Sequence, residues 1–138
     1  MINPKTIPSP YSPSGQALLM RRPMATSNSR LKQGDVVVVP LPYADQFAEK
    51  RRPAVVISGN AFNTRTKLVW VAMITSAVNI SWPDDVPLNL KNTGLNSPSV
   101  VRIAKLATID PVRIIRVAGK IDAKALKLLR AKLQAIVE

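Results

Sequence analysis

The sequence predicts a small, mainly β barrel that is closed by one C-terminal helix. Short apolar runs rich in β-branched residues alternate with polar turns through the middle of the chain, and apolar residues recur at helical spacing only in the last segment. The strands therefore precede the helix, without the strand–helix alternation of a parallel sheet. With 138 residues, 46% of them hydrophobic, the chain has the size and composition of one domain with its own core.

The first two predicted strands form a hairpin with a wide loop. Asp35–Val39 is rich in valine, which is typical of a buried strand, and the two prolines that follow predict its end. Tyr43–Arg52 is a charged loop segment, and Pro53–Ser58 is a second apolar strand. Two such runs on either side of a polar segment predict an antiparallel pair.

Four further strands and a helix complete the predicted domain. The strands are Lys67–Thr75, Asp85–Leu90, Ser99–Thr108 and Val112–Ile121, and a turn over Asn60–Arg65 is predicted before the first of these four. Asp122 stands where a helix N-cap is expected. The apolar face of the helix that follows is formed by Leu126, Leu129, Leu133, Ile136 and Val137.

Residues 1–30 differ in composition from the domain predicted over 31–138. They contain five prolines among serine, threonine and asparagine, which predicts a flexible tail. The apolar run Ala17–Met20 precedes Arg21 and Arg22, whereas a secretion signal places its positive charge before a run of about 7 to 15 apolar residues. No stretch reaches the about 18 apolar residues that span a bilayer. We therefore expect a cytoplasmic protein without a membrane partner.

The charge balance predicts a polyanionic partner. The chain has 20 lysines and arginines against 8 aspartates and glutamates, a net charge of +12 and a pI near 10.8. A charge of this size attracts nucleic acid or an acidic protein. A protein that is merely basic is the alternative that charge alone leaves open.

The absence of histidine and cysteine excludes several kinds of chemistry. Without either residue the chain lacks the usual pairs of nucleophile and base, and a zinc site would have to be built from carboxylates alone. The glycine-rich motifs that bind nucleotide phosphates are also missing. The sequence therefore predicts neither a metal nor another cofactor.

Basic and hydroxyl side chains at strand ends are the remaining candidates for a site. Arg51 and Arg52 directly precede Pro53, where a loop meets a strand, and a guanidinium group can pair with phosphate oxygens through two hydrogen bonds. A pair of solvated charges at the mouth of a hairpin is the alternative interpretation. Thr75 at the end of the third strand is, on its own, as typical of a plain strand residue as of a catalytic hydroxyl.

Four motifs in sequence order nevertheless resemble those of one protein family. Gly34–Pro40 followed by Arg51–Ser58 is similar to the opening signature of the MazF/PemK toxins. Val71–Ser76 is similar to the end of that family's third strand, and Ser99–Arg102 through Leu106–Asp110 is similar to a later strand block. The resemblance covers roughly residues 34–137.

The resemblance implies an SH3-like barrel of the CcdB/MazF type with a C-terminal helix. It also implies a homodimeric toxin of a type II toxin-antitoxin system that cleaves single-stranded mRNA and is neutralised by an acidic cognate antitoxin. The family's catalytic arginine and threonine fall on Arg52 and Thr75. Many relatives carry an acidic residue where this chain has Ala104-Lys105, and some carry glutamine soon after the threonine, whereas here Ala77, Val78 and Asn79 follow Ser76.

RNA carries its own nucleophile, the 2′-hydroxyl, so a metal-independent endoribonuclease needs few protein groups. The residues predicted to bind the strand around the catalytic pair by charge, hydrogen bonds or stacking are Tyr43, Lys50, Arg51, Ser76 and Trp82. Two other functions stay open: a non-catalytic inhibitor of the CcdB kind, and a basic barrel that only binds nucleic acid.

Overall fold

A computed structural model of the chain describes residues 31–41 and 50–138. The predicted tail over residues 1–30 and the loop that carries Tyr43 lie outside the described residues. The elements in chain order are β1 (Asp35–Leu41), β2 (Lys50–Val56), α1 (Asn60–Thr66), β3 (Val69–Ser76), β4 (Val86–Pro87), β5 (Ser99–Ile109), β6 (Arg116–Lys120) and α2 (Ala123–Val137). The predicted class, mainly β with a C-terminal helix, is confirmed.

The strands form one antiparallel sheet in the order β4-β5-β3-β2-β1-β6. Its two edges approach each other, because the Lys120 amide of β6 donates a hydrogen bond of 2.8 Å to the Asn92 carbonyl beyond β4. Gly119 permits this contact, since a Cβ atom there would lie 2.2 Å from the Asn92 oxygen. The sheet is thereby curled into a half-barrel.

Both faces of β1 are covered, which explains its unbroken valines. Val37 and Val39 point into one core, which also contains Leu31. Val36 points into a second core beneath α2, where Leu129 is fully buried. The Asp122 side chain caps α2 as predicted, accepting a hydrogen bond of 2.8 Å from the Ala125 amide.

The prediction of a turn over Asn60–Arg65 was wrong, because this segment begins the helix α1. Its inward-facing residue is Asn63, whose fully buried amide is hydrogen-bonded to the Ser58 hydroxyl. The helix thus has no apolar periodicity that a sequence could reveal. The helix ends at Thr66 and is capped by Lys67, which adopts a left-handed conformation with φ of 63°.

Several predicted strand boundaries also differ from the structure. β2 begins at Lys50 instead of Pro53, so Arg51 and Arg52 lie within the strand and not in the loop before it. β1 continues through Pro40 to Leu41. Among the described residues, only β2 pairs with β1 beyond Val38, so Pro40 lies where β1 has a neighbouring strand on one side. A proline, which lacks the amide hydrogen, is tolerated at such an edge position. β4 is limited to two residues, one of which is Pro87. The predicted sixth strand begins instead with a 3-10 turn over Pro111–Arg113, and β6 follows it.

Candidate active site

A small polar pocket lies where β2 begins and β3 ends. Its volume is about 240 Å³. We call this cavity the polar pocket; its lining residues are Arg52, Pro53, Ile74, Thr75, Ser76, Asn79, Leu95, Asn96, Ser97 and Ser99. The structure thus brings together the two predicted catalytic residues, which are 23 positions apart in the sequence.

Arg52 and Thr75 lie at the adjacent ends of two paired strands. The last residues that β2 and β3 pair are Ala54 and Met73, and Arg52 and Thr75 each lie two residues beyond that pair. Because side chains two residues apart on a strand project from the same face, Arg52 follows Ala54 and Thr75 follows Met73 on one face of the sheet. The guanidinium is exposed and the threonine is half-buried, so both side chains are accessible from solvent through the pocket.

The hydroxyl of Thr75 is already engaged by a neighbour. The side-chain amide Nδ2 of Asn79 donates a hydrogen bond of 2.7 Å to Thr75 Oγ1. Ser76, which was predicted to bind RNA, also lines the polar pocket, and its hydroxyl accepts a hydrogen bond of 3.3 Å from the Val78 amide. The strand end and the first turn of the following loop therefore form one hydrogen-bonded unit.

The opposite wall of the polar pocket comes from a segment that the sequence reasoning missed. Asn96, Ser97 and Ser99 lie just before and at the start of β5, and the Pro98 carbonyl accepts a hydrogen bond of 2.9 Å from the Ala77 amide. The Ser99 hydroxyl donates a bond of 2.8 Å to the Ser97 carbonyl. Their signal in the sequence was a polar turn directly before a predicted strand.

The other two basic residues predicted to bind RNA lie on β2 next to the pocket. Lys50 and Arg51 are both exposed. Because side chains alternate along a strand, Lys50 shares the face of Arg52, and Arg51 projects from the opposite face. Arg52 is the residue of this basic run that lines the polar pocket.

Trp82, the last predicted RNA-binding residue, does not line the polar pocket. Its ring packs instead against the guanidinium of Arg102, which forms a buried ion pair with Asp85. The Arg102 guanidinium carbon lies 4.3 Å from the Trp82 ring centre, and the Lys105 ammonium lies 5.4 Å from it. Trp82 retains 37% exposure, so part of its surface stays available to a ligand.

Arg102 anchors the loop after β3 to β5. It donates hydrogen bonds of 3.2 Å and 3.0 Å to the two carboxylate oxygens of Asp85 and one of 2.8 Å to the Ile80 carbonyl. The side chains of Arg102 and Asp85 are only 8% and 7% exposed. The hydrogen bond from Arg102, helped by one from the Trp82 amide, holds the pKa of Asp85 below its ordinary value.

The polar pocket combines one guanidinium, several hydroxyl groups and side-chain amides. Such a set of donors suits a phosphate group, which needs hydrogen bonds and positive charge around its oxygens. Within residues 31–41 and 50–138, no three acidic side chains come together as a metal-binding cluster. In the same part of the chain, no helix is long and apolar enough to cross a membrane.

Comparison with known proteins defines the class. The family described as PemK-like, MazF-like toxin of type II toxin-antitoxin system matches residues 32–137, and the chain belongs to this family. The resemblance that the sequence motifs indicated is confirmed.

Individual relatives agree with this assignment. Endoribonuclease PemK of Escherichia coli is 29% identical over 92 residues, which make up 66% of this chain and 69% of that protein. The MazE-MazF structure (Form-II) from Deinococcus radiodurans is 25% identical with a TM-score of 0.60, covering 77% of this chain and 93% of that chain. The toxin MazF-mt6 of Mycobacterium tuberculosis is 25% identical, also with a TM-score of 0.60, covering 73% of this chain and 93% of that one.

Proposed function

We propose that this toxin is an endoribonuclease that cleaves single-stranded mRNA at specific sequences in the cytoplasm, without a metal ion. The observation that carries the proposal is the polar pocket that Arg52 and Thr75 both line, at the start of β2 and the end of β3. The name of the Escherichia coli relative, an endoribonuclease, supports the same activity.

The reaction is an internal transesterification. The 2′-hydroxyl of the RNA loses its proton to solvent and attacks the adjacent phosphorus, while the bond from phosphorus to the 5′-oxygen breaks and that oxygen gains a proton. The products are a 2′,3′-cyclic phosphate and a 5′-hydroxyl. The protein therefore has to orient the strand and stabilise the charge that develops on the phosphate.

Arg52 is assigned the electrostatic part of this reaction. A guanidinium stays protonated at all physiological pH values, so it stabilises negative charge but does not exchange protons readily. One well-placed donor to a developing oxyanion contributes about 3 to 4 kcal/mol to transition-state stabilisation. Thr75 acts as the second donor, and its hydroxyl donates a hydrogen bond to a phosphate oxygen across the pocket from Arg52.

The RNA strand would extend from the polar pocket along the basic start of β2. Lys50 and Arg51 offer positive charge to flanking phosphates, Ser76 offers a hydroxyl within the pocket, and Trp82 offers an aromatic surface for a base. Tyr43 contacts the same RNA strand in this proposal. Binding of this kind weakens steeply with salt, because it releases counterions from the RNA.

A homodimer is proposed as the functional form, with the second copy on a separate apolar groove. This groove, of about 860 Å³, runs between the end of α2 and the start of β3. Trp70, Leu106, Ile136 and Val137 line it and are 46%, 49%, 53% and 81% exposed. An apolar surface of this extent is typical of a protein interface.

An acidic antitoxin is proposed as the second macromolecular partner. The chain belongs to a family of toxins from toxin-antitoxin systems, and the Deinococcus radiodurans structure it resembles is a MazE-MazF complex. With a net charge of +12, the chain would attract an acidic segment that covers Arg52. RNA and antitoxin should then compete, and raising the salt concentration should weaken both interactions.

The activity is tested with purified protein, a long single-stranded RNA and an excess of EDTA. We expect cleavage at defined positions, with 2′,3′-cyclic phosphate and 5′-hydroxyl ends identified by mass spectrometry. Cleavage that stops with chelator and returns with a divalent ion would refute the metal-independent mechanism. RNA that is bound but never cut would favour a nucleic-acid-binding barrel, and neither binding nor cleavage would favour an inhibitor of another protein.

A further inference from the structure

We propose that Asn79 is a positioning residue that orients the hydroxyl group of Thr75 toward the scissile phosphate. This inference rests on the proposed nuclease function. Its starting point is the hydrogen bond of 2.7 Å from Asn79 Nδ2 to Thr75 Oγ1, inside the pocket that both residues line. Asn79 thereby acts on the reaction through Thr75.

The direction of this hydrogen bond determines what Thr75 can do. A threonine hydroxyl has one hydrogen to donate and two lone pairs that accept. Because the Asn79 amide donates to one lone pair, the hydroxyl keeps its hydrogen for another acceptor, and Thr75 lines the polar pocket that would hold one. Thr75 is thus prepared to donate to an anion placed opposite Arg52.

The loop holds Asn79 in place from both sides. On the strand side, the backbone N–H of Asn79 donates a hydrogen bond of 3.1 Å to the Ser76 carbonyl, and the backbone N–H of Ala77 donates one to the Pro98 carbonyl. On the other side, the buried Arg102 donates a bond of 2.8 Å to the carbonyl of Ile80, the residue directly after Asn79. An exposed side chain whose backbone is fixed in this way loses less conformational entropy when it forms its hydrogen bond.

Two single substitutions test the direction of the bond. Asn79→Ala removes the donor and should lower the single-turnover cleavage rate about tenfold, with KM within about twofold of wild type. Asn79→Asp offers only acceptor oxygens at neutral pH, so the carboxylate takes the Thr75 hydrogen for itself and repels the phosphate. Its rate should fall about a hundredfold at pH 7.5.

The pH profile separates this role from plain loop stability. A protonated carboxyl can donate again, so the rate of Asn79→Asp relative to wild type should rise as the pH is lowered from 8 to 5. Asn79→Ala should show a constant ratio over this range. A flat ratio for Asn79→Asp would overturn the inference.

A double-mutant cycle tests whether Asn79 acts through Thr75. In a Thr75→Ala background, Asn79→Ala should change the rate by less than about twofold, because the hydroxyl that it orients is gone. In a Thr75→Ser background, which keeps a hydroxyl, Asn79→Ala should again cost about tenfold. Additive effects of Asn79→Ala and Thr75→Ala would mean that Asn79 contacts the RNA itself, and the inference would be wrong.

Controls separate failure of this inference from failure of the proposed function. Asn60→Ala, at an exposed position that begins α1, removes an asparagine outside the pocket and should cleave like wild type. Urea unfolding of each variant checks that the fold is intact. If Thr75→Ala cleaves at the wild-type rate, the proposed catalytic pair is wrong; if Thr75→Ala is inactive and Asn79→Ala is fully active, only the role of Asn79 is wrong.

Discussion

The polar pocket and the apolar groove lie at the two ends of the same strand and have opposite chemistry. Near the start of β3, Trp70 lines the groove, and near its end, about 17 Å farther along, Thr75 lines the pocket. The pocket is small and lined by hydroxyl, amide and guanidinium groups, whereas the groove is more than three times larger and lined mainly by apolar side chains. One rigid strand thus supports two surfaces that suit two different partners.

The polar pocket and the apolar groove fit different kinds of partner. A pocket of about 240 Å³ can enclose one charged group, so its contribution depends on the geometry of a few donors. An apolar groove gains stability in proportion to the area removed from water, about 25 cal/mol per Å², and it tolerates small changes in geometry. Substitutions in the pocket should therefore change chemistry, and substitutions in the groove should change association.

The largest effect is expected at Arg52. Arg52→Ala should lower the rate of RNA cleavage by about 100-fold to 1,000-fold, because the charge on the phosphate loses its principal donor. Arg52→Lys should recover little of this loss, since an ammonium lacks the planar fork. Self-association should not change, as measured by sedimentation velocity.

Lys124→Ala is the matched control for loss of one positive charge, at an exposed position of α2. It should cleave RNA within about twofold of wild type, because it lies outside the basic start of β2. Wild-type cleavage by Arg52→Ala, with normal folding, would show that the polar pocket is not the active site.

The next effect is expected on stability, at the buried ion pair of Arg102 and Asp85. The pKa of Asp85 is lowered by its bond to Arg102, so the carboxylate stabilises the fold above the ordinary aspartate pKa of about 3.9, and this contribution is lost as the pH falls through the folded-state pKa. Asp85→Asn should lower the free energy of unfolding by about 2 kcal/mol at pH 7. The difference from wild type should shrink below about pH 4.

Asp84→Asn is the control for this prediction. Asp84 precedes Asp85, but it is 52% exposed and lies 3.6 Å from Lys132, a surface ion pair whose contribution is about 0 to 1 kcal/mol. Urea unfolding at pH 7 and below pH 4 measures both variants. Equal destabilisation by the two substitutions would contradict the role assigned to the buried pair.

A smaller effect is expected in the apolar groove. Leu106→Glu places a charge in the middle of the proposed interface and should raise the dissociation constant of the dimer by at least about tenfold. Leu128→Glu is the matched control, because Leu128 is 41% exposed on α2 but does not line the groove. An unchanged dimer in Leu106→Glu would place the second copy on another surface.

Most of the fold could be predicted from the sequence because its core strands and final helix have strong local signals. The valines of β1 and the leucines of α2 carry their periodicity in the residues themselves. The helix α1 could not be predicted, since its buried residue is Asn63, and an amide gives no apolar pattern. Its burial depends on the hydroxyl of Ser58, a tertiary contact.

The candidate site divides in the same way. Arg52 and Thr75 could be predicted because they stand in family-like motifs at strand ends, although their meeting depends on the register of β2 and β3. The ion pair of Arg102 and Asp85 was missed, because an arginine within an apolar strand gives no indication of the partner that neutralises it. Trp82 was predicted as a stacking surface, and its contact with Arg102 is visible only in three dimensions.

The smallest effect is expected from the two basic residues beside Arg52 on β2. Lys50 shares the face of Arg52 by strand alternation, whereas Arg51 projects from the other face. The RNA for this test carries a 2′-deoxy substitution at the cleavage site, so that it binds but is not cut. Lys50→Ala should weaken its binding by about threefold to fivefold, and the slope of log K against log salt concentration should decrease by the amount expected for about one lost phosphate contact. Arg51→Ala should weaken binding by less than about twofold. Titrations by fluorescence anisotropy at several salt concentrations, with Lys91→Ala as the control for net charge, measure the order; a larger loss for Arg51→Ala than for Lys50→Ala would mean that the RNA leaves the polar pocket across the opposite face of β2.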